Sequence, residues 1–369
     1  METKIIRNPS DADLSIAAEA LRNGELVAIP TETVYGLGAN GLDVEAMDKI
    51  YAAKGRPSDN PLILHVPSID SVRPLVKDIP KMALKLMESF WPGSLTITLE
   101  KSSLVPYRAT GGLERVALRC PDHEVCRRFL EIVGVPVAAP SANISGRPSP
   151  TTAEAVYGDM KGRISYIIDA GPSSVGVEST VVEVQDEEVI ILRPGSITKE
   201  MLETVVSIVS YDKGLSTEAQ PKAPGMKYKH YAPDAPMKVL VGEPENIALA
   251  IIDCAQSINE QNNVYHVNCY GREMDRLSVH GRCKIGFLIS YEVEQEVVQL
   301  GYNMTEHRVH IFGHHNDAVS LAHDFYKSLL LFNEQKVHYI VAEGVPLEGL
   351  GVAIMNRMEK ASGGRIIYV

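Results

Sequence analysis

Two rhythms of apolar positions alternate through the first part of the chain. Helical spacing at i, i+3 and i+4 predicts helices over 14–22, 44–53, 80–90 and 124–132, and a further one starting at 152–157. Asp11 or Asp13 is the expected cap of the first helix. Short runs of β-branched and aliphatic residues, bounded by Gly, Pro, Asn and Asp, predict strands over 25–29, 62–66, 95–99, 116–119, 135–139, 166–169, 180–184 and 189–192. The mixture predicts an α/β domain built on a twisted mixed sheet over 1–208.

The rhythm stops over 209–236. Segment 212–236, DKGLSTEAQPKAPGMKYKHYAPDAP, holds four prolines and two glycines and no apolar period, which marks a linker. A passive tether favours Ser, Gly and Glu, whereas GMKYKHYAP crowds aromatics, cations and a histidine. The linker is therefore expected to cover a functional site. Beyond it, strands over 238–241, 264–267, 285–289, 309–312, 337–342 and 365–368 interleave with helices over 247–258, 318–331 and 353–360. This βα alternation predicts a smaller Rossmann-like domain with a parallel sheet over 237–369.

Composition narrows the function. The 369 residues are about right for two domains, and 45% hydrophobic residues can form real cores. The excess of 47 Asp and Glu over 36 Lys and Arg, a net charge of −11, argues against a protein whose main task is gripping nucleic-acid backbone. The five cysteines include no C-x-x-C pair, so reduced thiols in a cytosol are expected. No apolar run approaches the roughly 18 residues of a membrane span, and METKIIRNPSDAD has no signal-peptide h-region. A soluble, cytoplasmic protein without membrane contact is expected.

Candidate chemistry lies in polar loops. Gly36-Leu-Gly-Ala-Asn-Gly41 fits the dinucleotide fingerprint G-x-G-x-x-G, but TETVY separates it from the preceding strand, where the fingerprint turns directly off one. The glycines are better read as allowing close approach to a ligand or a neighbouring strand. Lys54 and Arg56 end a helix, where cations are favourable in any case. The hydroxyl-rich loop before them and Asn60-Pro61 after them point to an anion site. Ser141 and Asn143, two residues apart after a short strand, face the same way in extended backbone. Strand ends of this kind are where α/β sheets bind ligands. Val177-Glu-Ser-Thr180 and Leu192-Arg-Pro-Gly195 form a third such pair. His314, His315, His323, Asp317 and Asp324 match no standard zinc spacing, and Asn316 or Asp317 is the expected cap of the following helix.

Eight separated motifs together resemble the threonylcarbamoyl-AMP synthase family in its long, two-domain form. They are PTETVYGLGAN (30–40), KGRPSDNPL (54–62), WPGSLT (91–96), PSANISGRPSPT (140–151), GVEST (176–180), LRPG (192–195), APGMKYKHYAP (223–233) and GLGVAIMNRMEKASG (349–363). The resemblance implies that L-threonine, bicarbonate or CO2, and ATP with Mg2+ give L-threonylcarbamoyladenylate and pyrophosphate. A partner complex would then move the threonylcarbamoyl group to N6 of the tRNA adenosine beside the anticodon; direct tRNA binding is not required. By motif position, Thr33, His65, Arg119, Ala139 and Ser179 are implied to form the threonine pocket. Arg56, Asn60, Arg115, Ser141, Asn143, Ser149, Arg193 and Tyr231 are implied to contact ATP, with Lys54 and Arg56 stabilising charge in the reaction and no protein-bound metal. Hydrogenase-maturation carbamoyltransferases share a similar catalytic domain, but should add an acylphosphatase module and paired C-x-x-C fingers.

Overall fold

In the computed structural model, residues 2–185, 188–212, 231–257, 259–261, 264–268, 274–278 and 283–369 are described, with 259–278 as backbone course only. The chain divides into two compact units, Met1–Tyr228 and Lys229–Val369. Residues 213–230 of the sequence-defined linker lie outside the described residues.

Among its described residues, unit 1 carries eleven strands: β1 (Lys4–Arg7), β2 (Val27–Ile29), β3 (Gly36–Asn40), β4 (Ile63–His65), β5 (Leu95–Glu100), β6 (Arg115–Arg119), β7 (Val137–Ala138), β8 (Tyr166–Asp169), β9 (Thr180–Val184), β10 (Val189–Arg193) and β11 (Val209–Tyr211). They form one sheet in the order β1-β8-β2-β3-β7-β4-β6-β5-β9-β10-β11. The sheet is mixed: β4 runs parallel to β6 and β5 to β9, whereas β3 is antiparallel to both β2 and β7. Its helices are α1 (Asp11–Arg22), α2 (Val44–Lys54), α3 (Lys81–Phe90), α4 (Tyr107–Thr110), α5 (Glu124–Val133), α6 (Ala153–Met160) and α7 (Lys199–Glu203). Alternation along the strands sends neighbouring residues to opposite faces. Ala28 and Ile167 join the core that includes Ile50, Leu64 and Leu118, while Val27 and Ile168 join Leu14, Leu21 and Phe129 of α1 and α5.

Several local expectations are corrected by side-chain chemistry. Ser10, not Asp11 or Asp13, caps α1; its hydroxyl accepts from the Asp13 N–H while the Asp13 carboxylate accepts from the Ser10 N–H, a reciprocal capping box. The G-x-G-x-x-G stretch is strand β3, which the apolar pattern did not predict because glycine leaves no alternation to see. A Cβ on Gly38 would meet Val137 Cγ1 and Val27 O at 2.9 Å, and one on Gly41 would meet Leu64 Cδ2 at 2.7 Å. These glycines serve close strand packing.

Unit 2 begins with β12 (Met237–Val241) and α8 (Pro244–Gln256), followed by β13 (Asn259–Gln261), β14 (Val264–Asn268) and β15 (Met274–Ser278). It continues with β16 (Ile285–Ile289), α9 (Tyr291–Gln299), β17 (Arg308–Ile311), α10 (Ala318–Glu334), β18 (Tyr339–Glu343), α11 (Leu350–Ser362) and β19 (Ile366–Tyr368). The order β17-β16-β18-β12-β19, with every pairing parallel, gives the expected Rossmann-like sheet. The strand expected at 264–267 belongs instead to a separate antiparallel trio, β13-β14-β15. Asp317 caps α10, accepting from the Val319 and Ser320 N–H groups. Cys254 is disulfide-bonded, against the expectation of reduced thiols throughout, while Cys120, Cys126 and Cys283 are free.

Candidate active site

Three loops of unit 1 are stitched together by backbone hydrogen bonds. The 30–36 loop receives Val175 N on Glu32 O at 2.7 Å and Gly176 N on Thr33 O at 3.1 Å. Leu37 N donates to Pro140 O at 2.7 Å, and Ala142 N donates to Tyr35 O at 2.8 Å. The hydroxyl loop, the Ser141-Ala-Asn143 loop and the GVEST loop are thereby one surface, although about a hundred residues separate their ends in sequence.

On one side of that surface lies Arg119, at the end of β6 and buried. Its Nη1 donates to Thr33 Oγ1 at 2.9 Å and its Nε to Gly93 O at 3.2 Å. Its Nη2 lies 2.6 Å from Glu32 Oε2, an ion pair sealed from solvent and without the alignment of a hydrogen bond. Ser94 Oγ donates to the other oxygen of Glu32 at 3.1 Å. Thr96 Oγ1 and Ser179 Oγ share a hydrogen bond of 2.8 Å, and Arg193 Nη2 donates to Ser179 O at 2.9 Å and to its Oγ at 3.1 Å. His65 pairs in register with Arg119 across β4 and β6. Burial, reinforced by the Arg119 charge, pushes its pKa down to about 3, so the imidazole is neutral. Ala139 donates its N–H to Ile63 O at 3.0 Å.

On the other side, Lys54 ends α2 and is only 2% exposed. Gly55, left-handed at φ 63°, turns the chain there and lets Arg56 follow. Lys54 Nζ donates to the carbonyl of Ser141, to that of Asn143 at 2.5 Å and to Asn143 Oδ1 at 3.5 Å. All three of its protons thus have protein acceptors. Burial, and then the Arg56 charge, hold its pKa well below that of an ordinary lysine. The sequence placed Lys54 as an electrostatic contact; in the structure it ties down the Ser141–Asn143 loop. Ser141 Oγ donates to Asn143 Oδ1 at 2.6 Å, and Asn143 Nδ2 donates to Ile144 O and Arg147 O, each at 2.8 Å. Arg56 Nη2 donates to Pro61 O at 3.2 Å, and the buried Asn60 Oδ1 accepts no hydrogen bond among the described residues. Ser149 Oγ donates to Glu178 Oε1 at 2.6 Å. Glu178 neighbours Ser179, so the two sides join at the GVEST loop.

Arg115 and Tyr231 have neighbours of their own. Arg115 opens β6 where Arg119 closes it, about 13 Å away at the rise of a strand. Its Nη2 donates to Thr98 O at 2.8 Å and Val184 O at 3.0 Å, beside a cavity of about 580 Å³ that Lys77 and Lys81 also line. Tyr231 belongs to unit 2, where its buried ring lies 5.4 Å from that of Tyr326 and 5.9 Å from the Arg357 guanidinium. Conversely, Glu32 and Glu178 were not singled out from sequence. Each stands inside a hydroxyl-rich motif, and a carboxylate flanked by threonines or serines, with few charges to share, was the available signal.

A family model described as Telomere recombination matches residues 19–195, and one described as Threonylcarbamoyl-AMP synthase, C-terminal domain, matches 197–363. The threonylcarbamoyl-AMP synthase of Bacillus subtilis (strain 168) is 44% identical over 97% of this chain and 95% of its own length. That of Pyrococcus abyssi (strain GE5 / Orsay) is 42% identical over 96% of each chain. A crystal structure of P. abyssi Sua5 complexed with L-threonine superposes with a TM-score of 0.84 at 38% identity, covering 100% of both chains. The mixed sheet, the joined polar loops and near-complete coverage of such relatives lead to one conclusion: the chain belongs to the threonylcarbamoyl-AMP synthase family, in its two-domain form.

Proposed function

We propose that this chain is an L-threonylcarbamoyladenylate synthase, converting L-threonine, bicarbonate or CO2, and ATP to L-threonylcarbamoyl-AMP and pyrophosphate. The observation that carries the reading is the junction at the GVEST loop. An amino-acid-sized group of Thr33, Arg119, His65 and Ser179 stands against a loop of Ser141, Asn143 and Ser149 with Arg56 beside it. One half has the chemistry for a hydroxy amino acid and the other for a polyphosphate.

The arrangement suits the reaction step by step. The Arg119 charge faces the threonine carboxylate, and Thr33, Ser179 and the neutral His65 offer hydroxyl and imidazole partners to the threonine side chain. The threonine amine adds to CO2 and releases a proton, giving a carbamate. A carbamate oxygen then attacks the α-phosphorus of ATP, and the bond to the leaving pyrophosphate breaks. Such a transfer needs alignment and charge stabilisation more than a covalent nucleophile, and Arg56 and Arg193 are the side chains placed to offset the developing charge. Mg2+ would be carried by the triphosphate and offset charge on the leaving group; the Ser141 and Ser149 hydroxyls and the Glu178 carboxylate are hard oxygen donors of the type it accepts. The product is a mixed anhydride that water destroys, so the reaction needs a site closed to bulk water. Transfer to tRNA adenosine by a partner complex, in the cytoplasm, follows from this reading. Among the described residues, no helix is long and apolar enough to cross a membrane.

Pyrophosphate release should require L-threonine, bicarbonate and ATP together, and mass spectrometry of the mixture should show threonylcarbamoyl-AMP. Folded protein that forms no such product under these conditions overturns the reading.

A further inference from the structure

The geometry points to Glu32 as a positioning residue that fixes the Arg119 guanidinium for the amino-acid carboxylate, a role that rests on the proposed synthase reading. Arg119 has five N–H groups in one rigid plane. Gly93 O takes the Nε–H, Thr33 Oγ1 takes one proton of Nη1, and Glu32 holds the Nη2 edge through the 2.6 Å ion pair. Without Glu32 the restraints at Nε and Nη1 remain, and Nη2, which makes no hydrogen bond of its own among the described residues, loses the carboxylate that holds it.

Glu32 is itself held from several directions. Ser94 Oγ donates to Oε1 at 3.1 Å. The Glu32 carbonyl is fastened to Val175 N at 2.7 Å, so the residue cannot slide along its loop. It links three elements that meet at the site: the 30–36 loop, the turn before β5 and the end of β6. Burial alone would favour the neutral acid, yet the Arg119 charge keeps the carboxyl below the ordinary range, so Glu32 stays a carboxylate. A buried ion pair is a weak source of stability compared with apolar packing. Its place beside Thr33, rather than in either core, fits a device for orientation. The pair also gives the pocket one cation and one anion, a match for an amino acid that arrives as a zwitterion.

The test uses the full-length protein and two substitutions. Glu32→Gln keeps the shape and the Ser94 contact and removes the charge; Glu32→Ala removes both. In the ligand-free protein, nitrogen-15 NMR of Arg119 reads rotation about its Nε–Cζ bond, slow when both Nη groups are held; rotation should become fast in both variants. Calorimetric titration should then show L-threonine binding weakened about 10- to 100-fold in Glu32→Ala and less in Glu32→Gln, with ATP affinity within about twofold of wild type. Unchanged rotation, unchanged threonine affinity, or equal loss of threonine and ATP binding each overturns the role, the last by marking Glu32 as a general structural residue. Wild-type protein that binds no L-threonine, with rotation still released by the substitutions, would sink the synthase reading and leave the hold of Glu32 on Arg119 established.

Discussion

His65 is buried beside Arg119, and its neutrality links pH to stability. In the folded chain it protonates only near pH 3, whereas an unfolded histidine does so near 6.5. Between these values the unfolded state binds the extra proton, so stability is fully present above 6.5 and falls as pH drops toward 3. The slope should approach about 1.4 kcal/mol per pH unit below about pH 6. Glu32 acts in the same direction over a lower range, since a depressed carboxyl loses its contribution as pH falls below its unfolded value of 4.5. In urea midpoints measured from pH 7 to 5, where His123 and His338 contribute with the same sign, His65→Gln should reduce that slope without abolishing it. An unchanged slope would place the proton uptake elsewhere. At this scale the sequence showed which residue types gather, but not their partners. Lys54 was legible as one of a cation pair, while its acceptors, Ser141 O and Asn143 O, are carbonyls that any sequence supplies.

Among the elements, β9 and β10 show how a glycine sets a site. A Cβ at Gly195 would lie 2.3 Å from Thr180 N and 2.6 Å from Ser179 C, both backbone. The LRPG turn therefore lies directly on the GVEST strand, which is how Arg193 reaches Ser179. Gly195→Ala must force the two apart and should cost about 1–3 kcal/mol. Gly158 within α6 has open space around its position, so Gly158→Ala should be neutral or stabilise by up to about 1 kcal/mol. Chemical denaturation of the two variants side by side checks both; equal effects would remove the close-approach argument. Helices such as α2, α3, α5 and α10 were legible because their apolar stripes repeat, whereas α4, α7 and α9 were not predicted. Strand β3 was not, because its fitness for the sheet lies in missing side chains.

At the scale of the whole molecule, each unit has its own core: Leu118 and its neighbours in unit 1, Phe287, Ile251 and Val341 in unit 2. The chain has one tryptophan, and Trp91 lies in unit 1 with its indole N–H on Leu95 O at 2.7 Å. Its fluorescence therefore reports that unit alone. Phe287→Ala should lower a calorimetric transition and leave the Trp91 midpoint in place, with a local cost of about 3–5 kcal/mol. L-threonine with ATP should raise the Trp91 midpoint by linkage. Movement of both signals together in the Phe287 variant would mean that the units unfold as one. Division into two domains was readable where apolar period gave way to the proline-rich segment. The antiparallel trio β13-β14-β15 was not, since one apolar strand looks the same in either kind of sheet.

The sequence by itself determined the α/β class, many helix faces, the parallel sheet of unit 2 and the polar loops that unit 1 brings together. These depend on local period and on residue types, which a linear pattern records. Only the tertiary structure decided that Glu32 holds Arg119, that Lys54 anchors the Ser141–Asn143 loop, and that Arg115 and Arg119 face opposite ends of one strand. Such facts follow from strand order and register, where residues distant in sequence meet at hydrogen-bond range and adjacent positions are carried apart.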